Sequence, residues 1–164
     1  MIDGKILIIR SGTLEIEILK YDPDKRISEY IRCDMIDRSS AIDYLEKRNI
    51  DVWVDDCGLI DNKPPVFLFA ENKTHVTGML VGDIGLLSHD MEGESQGLTD
   101  QEIDDVLNWI MSHYCVKLPY DGNEITAIVI DKEESAEHLK RIQDMKEWVR
   151  SQGGFIINAF DEAE

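Results

Sequence analysis

Four clusters in this chain carry residue types that do chemistry. Asp90-x-Glu92-x-Glu94 spaces oxygen donors as the start of a calcium loop does. The match ends there, because the sixth position, which needs glycine, is Ser95, and the twelfth is Gln101 rather than Glu. His113-Tyr-Cys115 places two metal-ligand types two residues apart. Zinc needs three or four converging ligands, and His75, His89 and His138 form no second pair at ligand spacing. Asp55-Asp56 and Asp104-Asp105 are adjacent carboxylates. Successive helical residues point about 100° apart, so adjacency alone does not build a shared acid–base site. No nucleophile elbow surrounds any serine. Gly78, Gly82 and Gly85 are not followed by the Gly-Lys-Ser/Thr of a phosphate loop. The sequence therefore predicts no catalytic residue, no metal and no cofactor.

Charge is the stronger signal. Between Thr74 and Val116 there is no lysine or arginine, and those 43 residues hold eight carboxylates. Residues 1–48 carry a net of −1, residues 49–116 a net of −11, and residues 117–164 a net of −5. The total of −17 is thus concentrated in the middle of the chain. Such a field selects cationic partners and repels nucleic acid.

The elements that position these acids follow from periodicity. Lys5–Arg10 reads as a buried strand and Thr13–Leu19 as an alternating one, with Leu14, Ile16 and Ile18 inward, so the two predict a hairpin. Ser39-Ser40 caps a predicted helix to about Arg48, with Ile42 and Leu45 inward. Asp51–Val54 and Val66–Phe69 are predicted strands, with Pro64-Pro65 marking a sheet edge. Val76–Leu87 reads as one bent or bulged strand interrupted by glycines. After an acidic loop from Ser88 to Gly97, Thr99 and Glu102 form a capping box, with Leu98 stapling Ile103. That helix is predicted to run to about Tyr114 on a stripe of Ile103, Val106, Leu107, Ile110 and Tyr114. Beyond the Pro119–Gly122 turn come a strand at Ile125–Ile130, a helix at Glu133–Gln152 with Leu139, Ile142, Met145 and Val149 inward, and a short strand at Phe155–Ala159. The fold class is α+β: a mixed, mostly antiparallel sheet with two main helices in a single compact domain. Residues 1–116 form its core, and residues 117–164 a strand-helix-strand extension packed on the same domain. No apolar run approaches the roughly 20 residues of a membrane span. The three widely spaced cysteines, Cys33, Cys57 and Cys115, fit reduced, buried thiols. Both features predict a cytoplasmic protein.

The Lys5–Ile9 strand, Val52-Trp-Val-Asp-Asp-Cys-Gly58, Thr77-Gly-Met-Leu-Val-Gly82-Asp83 and the helix start Leu98-Thr-Asp-Gln-Glu102 together resemble a domain-of-unknown-function family common in phages and bacterial conjugative elements. The resemblance covers roughly the first 115 residues. This chain departs from the pattern at Tyr30–Asp34, where that family has a glycine-rich segment, and adds about 50 residues at its C-terminus. The resemblance implies no activity and no catalytic residues. It implies a mobile-element setting and accessory or counter-defence roles.

On the acidic helix, a stripe centred on Ile103 leaves Trp109 off the core face, flanked by carboxylates. A tryptophan among acids suits an arginine-rich partner. The expected function is a non-enzymatic binding protein whose Asp90, Glu92, Glu94, Glu102, Asp105 and Trp109 dock on a basic, nucleic-acid-binding surface of a host protein. A small-molecule binding or sequestering domain, or an enzyme of another type, is the alternative. A homo-oligomer whose acidity serves solubility alone is the third reading.

Overall fold

Two sheets, each drawing strands from both halves of the chain, share one apolar layer. The computed structural model describes residues 4–72, 75–131, 147, 149–153 and 155–157. The first sheet is antiparallel throughout, in the order β2 (Ile16–Lys20), β1 (Lys5–Ile9), β7 (Ile84–His89), β4 (Ile50–Asp55), β3 (Ile36–Ser39). A two-residue β8 (Ser95–Gln96) pairs with the end of β7. The second sheet runs β11 (Phe155–Ile157), β9 (Tyr114–Tyr120), β10 (Asn123–Asp131), β5 (Pro65–Asn72), β6 (His75–Val81), with β10 and β5 parallel. The helices whose bounds are described are α1 (Ile27–Tyr30), α2 (Asp43–Glu46) and α3 (Asp100–Met111). The architecture is α+β in the broad sense, dominated by sheet. Among the described residues no helix is long and apolar enough to cross a membrane.

Alternation decides which side chains meet. Leu7, Ile9, Val52, Ile84 and Leu86 face inward from the first sheet and Phe67, Ile128 and Ile130 from the second, with Ile103, Val106 and Ile110 of α3 in the same core. Their neighbours Ile6, Ile8 and Leu87 point to the opposite face of the first sheet, where Tyr30 and Ile31 cover them. Leu68, Val116, Ala127 and Val129 form a third layer on the far side of the second sheet, with Val149. Each such aliphatic side chain contributes about 1.5–3 kcal/mol by leaving water.

Several sequence expectations are corrected. Val76–Leu87 is two strands in different sheets, joined by Gly82-Asp83. Gly82 has φ +78°, a conformation glycine adopts without a Cβ clash. Asp83 then pins the crossing, accepting from Ser11 N at 2.9 Å and Arg10 Nη1 at 2.9 Å. Arg10 also reaches Glu17 through Nε at 2.8 Å and the Tyr30 carbonyl at 2.9 Å. The alternation in Thr13–Leu19 becomes a strand only at Ile16, because Leu14 sits at φ +56°. Ile18 and Leu19 are partly exposed on this edge strand. The Ser39–Arg48 segment is half strand: β3 ends at Ser39, whose Oγ accepts from Ala41 N, and α2 is a single turn that buries Ile42 and Leu45. Pro65 opens β5, which is an interior strand. Tyr114 belongs to β9, so α3 stops earlier than its stripe suggests. β9 and β10 form a tight hairpin through Asp121 (φ +47°) and Gly122 (φ +79°), an Asp-Gly turn whose twist matches its strands. A boundary at residue 116 falls inside β9. Of the second predicted helix, Glu147 and Val149–Ser151 are helical and Val149 is buried; Leu139, Ile142 and Met145 lie outside the described residues.

The acidic segment is tied to β1 at one close approach. Leu98 N donates to the Lys5 carbonyl at 2.7 Å, and Lys5 N donates to the Leu98 carbonyl at 3.1 Å. A Cβ on Gly97 would lie 2.4 Å from Gly4 backbone carbons. Gly97→Ala is therefore expected to cost about 1–3 kcal/mol through forced backbone separation, read as a lower urea midpoint. Gly93→Ala, where no atom lies within 4 Å but φ is +84°, tests φ strain without crowding.

Candidate functional site

Apart from Asp83, the acids of the middle segment are carried on two elements that follow each other in sequence: the β7–β8 turn and the first turns of α3. Asp90 builds the turn. Its Oδ1 accepts from Glu92 N at 2.9 Å and Glu94 N at 3.0 Å, and its own N–H donates to the Glu94 carbonyl at 3.0 Å. That oxygen faces amide donors, as in an Asx turn. Glu102 builds the helix start: Thr99 Oγ1 accepts from Glu102 N at 3.1 Å, and Glu102 Oε1 accepts from Thr99 N at 3.0 Å. Both members of the predicted capping box are thus in place. Asp100 pairs with Lys5 at 2.7 Å, but both are well exposed and the pair contributes little.

What remains for a partner is a ridge. Glu92, Glu94, Asp104 and Asp105 are all exposed. Asp105 accepts from Gln101 Nε2 at 2.9 Å. The carboxylates of Glu92, Glu94 and Asp104 have no hydrogen-bond or ion-pair partner among the described residues. The ridge therefore keeps three of the six residues expected from sequence (Glu92, Glu94 and Asp105) and adds Asp104.

Trp109 is corrected outright. It is 8% exposed and belongs to the core. Its ring stacks on Tyr44 at 5.1 Å with planes 8° apart and meets Phe67 at 6.3 Å and His113 at 4.7 Å. A single stripe misses Trp109 because Tyr44 of α2 covers α3 on a further side, stacking on the indole and donating to the Asp105 carbonyl at 3.4 Å. The His113-Cys115 pair is also divided. His113 Nδ1 lies 2.7 Å from the Trp109 carbonyl at the helix end, while Cys115 is buried in the core. Among the described residues no three His, Cys, Asp or Glu side chains are grouped to hold a metal.

Sequence reasoning missed a second polar region, on β4. Val52 and Val54 face the core, so Asp51, Trp53 and Asp55 share the other face. Asp51 and Asp55 are nonetheless buried, and each has found a cation. Asp51 lies 3.1 Å from His89 Nδ1 and 3.4 Å from Arg38 Nη1. Asp55 bonds the Lys63 ammonium through Oδ2 and accepts from Cys57 N through Oδ1 at 2.9 Å. The period-two pattern of β4 was the available signal, since it puts two aspartates beside a tryptophan on one face.

Two open hollows flank this strand. One, of about 650 Å³, is lined by Asn49, His89, Met91, Glu92 and Gln96 among others, and its lining includes no Ser, Thr, Cys or Lys. The Asp51–His89 pair thus has no nucleophile beside it there. The other, of about 470 Å³, is lined by Cys33, Cys57, Asp55 and Lys63 among others. Burial, and then the Asp55 carboxylate, push the Cys33 thiol above its ordinary value of 9.0, with Lys63 opposing. Burial, and then Asp61 and Asp56, do the same for Cys57. Both are poor nucleophiles at neutral pH. Alkylation by iodoacetamide at neutral pH is expected to be slower at both than for glutathione, and to accelerate above pH 9.0. Fast labelling at neutral pH, followed by peptide mapping, would contradict this.

Comparison with protein-family models, with curated proteins and with solved structures finds no match to this chain.

Proposed function

We propose that this chain is a non-enzymatic acidic binding protein that works in the cytoplasm and docks its ridge on a basic, nucleic-acid-binding surface of another protein. The observation that carries the reading is the set of Glu92, Glu94, Asp104 and Asp105, exposed on a turn and a helix that are themselves fixed. None of the four holds a counter-charge among the described residues, in a segment without lysine or arginine. A backbone already held in place avoids the ordering cost that a flexible segment incurs on binding. Four of them match only a short stretch of duplex, which presents one charge per about 1.7 Å, so the partner surface is a local basic patch. The mobile-element setting and a counter-defence role rest on the resemblance at Val52–Gly58, Thr77–Asp83 and Leu98–Glu102.

The test is affinity capture with the wild type beside the neutralised Glu92→Gln/Glu94→Gln/Asp104→Asn/Asp105→Asn variant. None of these four side chains builds the turn or the cap, so the variant should fold. The expected partner is retained by wild type, lost from the variant, eluted by salt as screening shortens to about 3 Å at 1 M, and displaced by duplex DNA. Equal capture by the neutralised chain would overturn the reading.

A further inference from the structure

The 470 Å³ hollow lies at the far end of β4 from the ridge. Asn49, beside the ridge, and Asp55, in the hollow, are six residues apart, about 20 Å along a strand. Its wall includes the β4–β5 turn, and that turn is rigid. Gly58 N donates to the Asp55 carbonyl at 3.1 Å, Asp61 N to Cys57 at 2.9 Å and Lys63 N to Gly58 at 2.9 Å. Asn62, at φ +55°, is held by the Tyr120 hydroxyl at 2.7 Å. A Cβ on Gly58 would lie 2.7 Å from Val81 Cγ2, so the turn is seated against the second sheet.

This fixed turn shows its apolar side chains to water. Leu59 is 70% and Ile60 84% exposed, between the lining residues Cys57 and Asp61. Met35, 58% exposed, lies on the neighbouring segment, its carbonyl accepting from Asp56 N at 3.0 Å. Singly exposed aliphatics are ordinary; here three lie on two segments hydrogen-bonded to each other, beside a hollow. The surrounding charge selects what it takes. With Lys63 held by Asp55, the lining presents Glu29, Asp34 and Asp61 against Arg32 alone.

We propose that this hollow docks a short segment of a partner protein in which arginine or lysine stands next to a bulky aliphatic residue. The cation sits against Asp34 and Asp61, and the aliphatic side chain covers Leu59, Ile60 and Met35. Pre-formed turns supply the apolar contact without loss of chain entropy, and the carboxylates set the register and exclude acidic segments. This site is separate from the acidic ridge and does not depend on it.

Fluorescein-labelled peptides of the sequence pattern Gly-Arg-Leu-Arg-Leu-Gly, with Arg-Ser and Glu-Leu counterparts, test it by anisotropy. The Arg-Leu peptide is expected to bind saturably. Leu59→Ser/Ile60→Ser should weaken it about tenfold, Asp34→Asn/Asp61→Asn by a comparable factor, and the neutralised ridge variant not at all. Because Leu59 and Ile60 are mostly outside the core, their double variant should remain folded by circular dichroism. Equal binding of the Arg-Ser peptide, or loss on neutralising the ridge rather than the hollow, would show simple charge attraction and overturn the proposal. So would absence of Arg-Leu binding. A wild-type dimer in sedimentation that the Leu59→Ser/Ile60→Ser variant abolishes would also overturn it, by assigning the patch to a second copy.

Discussion

Trp109→Ala is expected to lower the unfolding free energy by about 3–5 kcal/mol, the range for deleting a buried aromatic. The indole is sandwiched in a layered stack. The Arg48 guanidinium lies 3.5 Å from the Tyr44 ring centroid, Tyr44 lies over Trp109, and Trp109 leans on Phe67. Truncation removes the middle layer, so the Tyr44 ring loses its support and α2 keeps only the Tyr44 hydroxyl's bond to the Asp105 carbonyl, at 3.4 Å, among its hydrogen bonds to α3. The loss should exceed that of Tyr44→Ala, whose ring is only partly buried. Trp109→Phe keeps an aromatic layer and should recover much of the stability. Urea denaturation followed by far-ultraviolet circular dichroism reads all three. The same set separates core from interface: if Trp109→Phe folds normally yet loses a partner that the ridge captures, Trp109 acts at the surface after all. A Trp109→Ala loss below about 1 kcal/mol would contradict the stacked geometry.

The residues that could be placed from sequence are those whose position is set by near neighbours. The capping box at Thr99 and Glu102 is a four-residue device, and it is present as expected. The β1–β2 hairpin follows from alternation over a dozen residues, and the inward Ile42 and Leu45 from a single helical turn. What could not be placed depends on distant partners. Val76–Leu87 is mostly apolar across both of its strands, so hydropathy does not mark the passage between sheets at Gly82-Asp83. Strand β9 was hidden by Pro119 and by its direct start after α3. Trp109 was misplaced because a helical stripe describes one buried face, and α2 adds a second. Asp90 and Glu102 look like free charge in sequence, whereas each closes the local backbone around it. The hollow joins the turn after α1 to the turn after β4, and no local pattern announces that pairing.

The second large effect is expected at Lys63. Among the described residues Asp55 has the most enclosed carboxylate in an ion pair, with its side chain 2% exposed against 30% for Lys63. Lys63→Met keeps most of the aliphatic stem but leaves that carboxylate with the Cys57 amide alone. Removing one partner of a buried pair strands the other charge, at about 3–5 kcal/mol; the half-open lysine places this case near about 3 kcal/mol. The pair also carries a pH signature. The hydrogen bond from the ammonium to Asp55 raises the Lys63 pKa above its ordinary 10.5, with burial opposing. A group whose folded pKa is raised stabilises the fold fully below its unfolded value and loses that contribution as pH climbs through the folded one. The stability gap between wild type and Lys63→Met should therefore be flat from neutral pH up to the approach to 10.5, then narrow above it. Lys63→Arg should retain part of the gap and extend it to higher pH, because guanidinium stays charged there. Urea midpoints across that range decide the matter. A gap that does not narrow above 10.5 would mean that Lys63 acts through its packed stem rather than its charge.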